Sequence, residues 1–210
     1  MYQYVEMEEN VMKSNKTKQL TMLAILVAVT VVLQTISAVI AHFGYFSISL
    51  TMIPLVVAVW LLGMKGGLVI GGTFGATVLL HCILGLDAGG ALLFEENWLF
   101  TIIATIIRGL IAGALTALVY YATKRIENTK VRIFITAACA PIFNTGIFVL
   151  MFATLFNATL NAWANANDYN NAFSYVILGL VGINFVLEFV STILLAPPVC
   201  MAVNKMRKSF

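Results

Sequence analysis

Two charged residues, Arg108 and Glu188, lie deep inside long apolar runs of this 210-residue sequence. A charge in the core of a bilayer is costly to bury, so an ionisable residue there is a candidate for a functional role. The guanidinium of Arg108 offers a planar fork of donors that matches a carboxylate. Asn144 and Asn184 lie in two further apolar runs, and each can donate and accept hydrogen bonds. This set of side chains suits a small, polar and anionic ligand.

These side chains are also placed at a common depth. Arg108, Asn144 and Asn184 each lie about 11–13 residues from the same end of their runs, which corresponds to roughly 15–20 Å at the rise of an α-helix. Glu188 follows Asn184 by one helical turn on the same face, and Thr145 adjoins Asn144. We therefore expect a polar pocket where three helices converge. The alternative is a buried structural ion pair between Arg108 and Glu188. The pocket and the ion pair are compatible, because Glu188 could hold Arg108 in place for the ligand.

The elements that position these residues follow from composition. The sequence is 61% hydrophobic and 10% charged, whereas soluble domains average about 45–50% apolar and about 25% charged residues. A bilayer must therefore solvate much of this chain, and we expect lipid around it. The net charge of +3 is too small to indicate a nucleic-acid partner.

Six apolar segments separated by polar residues define the predicted fold class, an all-α integral membrane protein with six transmembrane helices. The segments are 18–42, 47–63, 66–86, 97–123, 132–157 and 173–203. Residues 1–17 then form an N-terminal tail, 18–203 the membrane domain and 204–210 a C-terminal tail. The second segment is short, so we expect its ends to lie against neighbouring helices rather than lipid.

Basic residues predict the orientation. With six spans, all of the 12 lysines and arginines except Arg108 fall on one side, while the opposite connections carry acidic residues and no Lys or Arg. Because basic residues accumulate on the cytoplasmic side, both termini are predicted to be cytoplasmic.

Several catalytic and metal-binding patterns are absent from the sequence. It contains no GxxxxGK[ST] phosphate loop, no HExxH, no clustered Cys and His and no GxSxG. We therefore expect no metal, no cofactor and no enzymatic activity. The three cysteines lie in apolar runs and are interpreted as packing residues.

Small residues recur at helical spacing. Gly67, Gly71 and Gly75 share one face of the third segment, and Gly109-x3-Gly113 repeats the pattern in the fourth. Such a face permits close approach of another backbone. It indicates either tight packing inside one bundle or a docking face for another subunit. Ala24-x3-Ala28 in the first segment is a weaker example of the same pattern.

Two further features lie near the predicted outer surface. The connection after the first segment contains Phe43, Tyr45 and Phe46 around a central glycine, which indicates either interfacial anchors or a lid over the pocket. His81 lies near the end of the third segment. A hydrogen-bonded interface residue is the ordinary role of such a histidine, and we include it among the candidate substrate ligands.

Several of these motifs resemble a known family. Ser49-Leu-Thr-Met-Ile-Pro54 followed by Leu-Leu-Gly63-Met-Lys-Gly-Gly67 resembles the junction between the second and third helices of S components, the substrate-binding subunits of energy-coupling factor (ECF) importers. Pro141-Ile-Phe-Asn-Thr-Gly-Ile-Phe148 resembles a helix typical of the pantothenate branch. Arg108-Gly109 and Asn184-x3-Glu188 also resemble family motifs.

This resemblance implies a six-helix protein of the bacterial cell membrane with a high-affinity vitamin site on its outer side, most like a site for pantothenate. It also implies two kinds of partner, a T-component membrane protein and two ATPase subunits. The absence of a phosphate loop fits this division of labour. Ala24 and Ala28 match the face that meets the T component in this family. Two alternatives stay open: another vitamin such as folate, riboflavin or a thiamine precursor, or a stand-alone carrier that uses Glu188 for proton coupling.

Overall fold

The computed structural model describes the backbone of residues 2–42 and 50–208 and the side chains of residues 16–40 and 50–205. Every regular element within these ranges is helical. The segments are α1 (Tyr2–His42), α2 (Met52–Leu62), α3 (Met64–Ile83), α4 (Ala88–Glu96), α5 (Trp98–Arg125), α6 (Thr129–Leu155), α7 (Asn157–Ala166) and α8 (172–208).

Five of these helices, α1, α3, α5, α6 and α8, are long and apolar enough to cross a membrane. They correspond to five of the six predicted segments. The remaining segment corresponds to α2, which has only 11 residues. At about 1.5 Å per residue it rises about 16 Å, roughly half the thickness of a hydrocarbon core. The all-helical membrane fold is confirmed, and a sixth complete span stays a prediction.

Helix α2 lies at the centre of the bundle. It contacts α1, α3, α5, α6 and α8, and its residues from Leu55 to Val59 are almost completely buried. Protein therefore covers the sides of this short helix. The turn into α3 is made at Gly63, whose φ of +60° favours glycine. The hydroxyl of Tyr121 accepts a hydrogen bond from the Met64 amide there, at 3.2 Å.

The glycine face of α3 packs against α5. A Cβ atom built on Gly67 would lie 2.5 Å from the carbonyl oxygen of Gly113, and one on Gly71 would collide with the carbonyl of Gly109. Gly75 meets the backbone of Thr105 in the same way. Of the two functions predicted for this stripe, the structure shows packing inside the bundle, because α5 already occupies the face. The expectation of a docking face for another subunit is therefore wrong here.

Apolar side chains form two buried clusters at opposite ends of the bundle. The first surrounds α2 and includes Leu55, Ile133 and Cys200. The second includes Leu93 of α4 and Phe156 at the end of α6, together with parts of α5, α7 and α8. The polar residues described below lie between these two clusters.

Two connections between the predicted segments contain helices that the hydropathy pattern did not indicate. These are α4, which precedes the segment 97–123, and α7, which follows the segment 132–157. Asp87 caps α4 by accepting a hydrogen bond from the Gly90 amide at 2.9 Å. The Thr159 hydroxyl donates to the Glu96 carboxylate and so joins the two helices.

Candidate functional site

A cavity of about 270 Å³ lies among the long helices. Residues of α1, α3, α5, α6 and α8 line its walls, and α4, the residues before it and α7 contribute to one end. No described residue of α2 lines it. The cavity therefore occupies the part of the bundle that the short central helix leaves open.

Five of the six predicted substrate ligands line this one cavity: Arg108, Asn144, Thr145, Asn184 and Glu188. They come from α5, α6 and α8, which are the three segments expected to converge. The depth estimate from the sequence placed them together because helices of known rise cross the same thickness of bilayer. Their role as ligands is a proposal, which we argue below.

Arg108 is the principal cation of the cavity. Its side chain is only 7% exposed, and its guanidinium carbon lies 5.2 Å from the ring centre of Phe74 and 5.1 Å from that of Phe148. Both distances are within the range of cation–π contacts. The buried Nε of Arg108 and the buried Oδ1 of Asn144 have no hydrogen-bond partner among the described residues. Polar groups of this kind are costly to leave unsatisfied, so they are available to a ligand.

Irregular helix geometry adjoins the polar residues on both α5 and α8. A π-helical segment, Ile103–Ile107, runs directly into Arg108. A second π-helical segment, Tyr175–Val181, ends just before Asn184, whose side-chain amide donates to the Leu180 carbonyl at 3.3 Å. Single π-helical turns inside α-helices are rare and are frequent at functional sites. Nothing in the hydropathy pattern of the sequence indicated them.

Other lining residues were missed by the sequence analysis. They include Gln34 and Ser37 of α1, Asp87 and Gly90 at the start of α4, and Trp163 of α7. Asp87 could have been recognised as a helix cap, since Asp is favoured at that position and a small-residue helical run follows. The polar residues of α1 gave no signal, because single polar residues in an apolar span are ordinary.

The comparison with protein families gave a match that covers most of the chain. The family model described as "ECF transporter, substrate-specific component" matches residues 18–200. This chain belongs to that family. The comparisons with curated proteins and with solved structures each gave no significant match.

Membership makes this S component a subunit of a transporter with multiple membrane-spanning helices. The family is a transporter family rather than an enzyme family. It implies a small-molecule substrate, together with a T component and ATPases as partners.

One outward face of α1 is available to a partner of the S component. Ala24 and Ala28 are both exposed, whereas Leu26, Val27 and Thr30 pack toward α2 and α3 or are buried. The structure therefore leaves the small-residue face uncovered within this chain. Its predicted contact with the T component is taken up among the tests below.

His81 is the predicted ligand that does not line the cavity. It is 3% exposed, and its Nε2 lies 3.3 Å from the Thr35 hydroxyl. Its carbonyl accepts hydrogen bonds from the amides of Leu86 and Asp87. His81 thus connects α3 to α1 and to the residues that lead into α4. This hydrogen-bonded role is the one that the sequence analysis regarded as ordinary. The predicted lid residues Phe43, Tyr45 and Phe46 lie outside the described residues.

Proposed function

We propose that this S component captures pantothenate from outside the cell and that Arg108 binds its carboxylate. The observation that carries the proposal is the position of Arg108. It lines the cavity, it is buried over two aromatic rings, and its Nε has no hydrogen-bond partner among the described residues. Hydrogen bonds to charged groups are the stronger ones, and an arginine fork fits a carboxylate in two contacts.

The remaining groups of the cavity match the rest of the molecule. Pantothenate carries one amide and two hydroxyls besides its carboxylate, and Asn144, Thr145 and Asn184 offer both donors and acceptors for them. Its branched apolar part suits the aromatic walls, which include Phe152 and Trp163. Predominantly apolar walls with a few placed polar groups are typical of small-molecule sites.

The size and charge of the cavity support a choice among the candidate vitamins. A volume of about 270 Å³ lies just below the usual range of about 300–1,000 Å³ for ligand pockets, which favours pantothenate over the larger folate and riboflavin. Two carboxylates, Asp87 and Glu188, also line the cavity. Because carboxylates accept hydrogen bonds, they suit the amino group of an aminopyrimidine, which makes a thiamine precursor the second candidate. We prefer the anion, because Asp87 is engaged as the cap of α4.

The proposal includes the orientation and the energy source. We place both termini in the cytoplasm of a bacterial cell, with α2 completing a sixth passage, and the cavity toward the outer side. The one-sided distribution of basic residues supports this orientation. ATP hydrolysis by partner ATPases and assembly with a T component would then drive release to the cytoplasm, whereas a stand-alone carrier would use Glu188 and a proton gradient.

Binding to the purified full chain in detergent tests the function. Isothermal titration without ATP or an ion gradient should show tight binding of pantothenate, and mass spectrometry should find it in the co-purified material. Tight binding of a thiamine precursor with pantothenate ignored would reverse the choice of substrate. Pantothenate uptake by the isolated chain in liposomes, driven by a proton gradient, would establish the carrier instead.

A further inference from the structure

We infer that Phe148 and Phe74 are positioning residues that hold Arg108 for the ligand's carboxylate and so make the site select an anion. This inference rests on the proposed contact between Arg108 and pantothenate, and it extends that function to two residues of other helices. Phe74 belongs to α3, Arg108 to α5 and Phe148 to α6.

A long side chain in a cavity needs a reason to keep one orientation. Arginine loses considerable rotamer freedom when it is fixed, and no hydrogen bond to the Nε of Arg108 is found among the described residues. The ring contacts at 5.2 and 5.1 Å can orient the guanidinium, together with its electrostatic attraction to Glu188. A guanidinium that stacks on aromatic faces keeps its N–H edge for hydrogen bonding.

The backbone supports this arrangement on both sides. Phe74 lies three residues after Gly71, and Arg108 directly precedes Gly109, whose backbone packs against Gly71. This close contact brings the ring of Phe74 to the guanidinium. Phe148 reaches it from α6, where it is held by its own ring contact with Phe152, at 4.1 Å between centres.

If the rings position Arg108, removing one of them should weaken the binding of an anionic ligand more than that of an uncharged one. Replacing Phe148 with leucine keeps an apolar wall but removes the ring, so Arg108 is still present but less ordered. Affinity for a carboxylate should fall, while affinity for the matching uncharged alcohol should change little. If the ring only fills space, both ligands should lose affinity by the same factor.

The experiment compares pantothenate with panthenol, in which an alcohol replaces the carboxylate, by titration of the full chain in detergent. Phe148→Leu should lower the preference for pantothenate about 2- to 30-fold, the range of a cation–π contact. Phe148→Trp should instead retain the preference for pantothenate, because tryptophan offers the best ring for a cation. Phe74→Leu should act in the same direction.

Phe185→Leu is the matched control, since Phe185 of α8 also lines the cavity, and among the described residues its ring pairs with Phe189 rather than with Phe148 or Arg108. It should leave the preference unchanged. In an Arg108→Gln background, Phe148→Leu should cause no further loss of preference. An equal loss for both ligands in Phe148→Leu would overturn the inference.

The same titrations separate this inference from the function on which it rests. If Arg108→Gln abolishes the preference but Phe148→Leu does not lower it, the carboxylate contact stands and the positioning role is wrong. If Arg108→Gln leaves the preference intact, the proposed contact fails and the positioning role fails with it.

Discussion

Gly71 and Gly109 meet backbone to backbone, so closely that a Cβ atom on either would collide with the carbonyl of the other. Arg108 is the neighbour of one glycine, and Phe74 lies one turn beyond the other. The contact between α3 and α5 is thus part of the site, because it sets the separation at which ring and guanidinium face each other. Small residues at helix contacts are a general means of close approach in membranes.

Gly71→Ala should destabilise the protein. The added methyl group has no space against the Gly109 carbonyl, and overpacking of this kind typically costs about 1–3 kcal/mol. The measurement is the thermal unfolding midpoint in detergent, followed by size-exclusion chromatography. Gly146→Ala on α6 is the matched control, since nothing lies within 4 Å of the position of its Cβ. Equal midpoints for the two variants would contradict the close packing of α3 on α5.

Loss of Arg108 should weaken pantothenate binding roughly 10- to 150-fold, as expected for a hydrogen bond to a charged group. Arg108→Lys should do less harm than Arg108→Ala, because it keeps the charge but loses the fork. Titration measures the dissociation constants after gel filtration has shown that each variant is folded.

A double variant separates binding from a structural ion pair. Arg108→Ala leaves Glu188 without its nearby cation, so Arg108→Ala combined with Glu188→Gln removes both charges. If Arg108 holds the carboxylate, binding should stay weak in the double variant. Recovery of binding would show that the arginine serves only to neutralise Glu188.

Bulky residues on the exposed small-residue face of α1 should prevent assembly. Ala24→Trp and Ala28→Trp should reduce co-purification with the T component and reduce uptake, with pantothenate binding unchanged, because close helix approach requires small side chains. Val29→Trp is the control, since Val29 is also exposed but points about 100° away from Ala28 around the helix. Assembly that survives both alanine replacements would show that this face is wrongly assigned.

Cysteine labelling in intact cells should establish the topology. In a background without the three native cysteines, Glu127→Cys between α5 and α6 should resist an impermeant reagent, whereas Asn170→Cys before α8 should react. Both positions are exposed, and Glu127 avoids the adjacent Asn128, whose side chain caps α6. Strong labelling at residue 127 from outside would show that the predicted orientation is wrong.

Much of the fold and part of the site could be predicted from the amino-acid sequence. Hydropathy located five spans to within a few residues, since the requirement to bury about 20 apolar residues in lipid is local. Counting residues from the span ends then brought Arg108, Asn144 and Asn184 to one level, because the rise of a helix is constant. The glycine spacing also predicted a close helix contact.

Only the tertiary structure decided which faces meet. Three such contacts join residues that are far apart in sequence. Helix α5 fills the glycine face of α3, and His81 contacts Thr35 rather than the cavity. Phe74 and Phe148 lie against Arg108. The rotation of each helix about its axis sets these contacts, and an apolar helix with lipid on one side and protein on the other carries little hydrophobic asymmetry to reveal it. The π-helical turns beside Arg108 and Asn184 likewise had no counterpart in the hydropathy pattern.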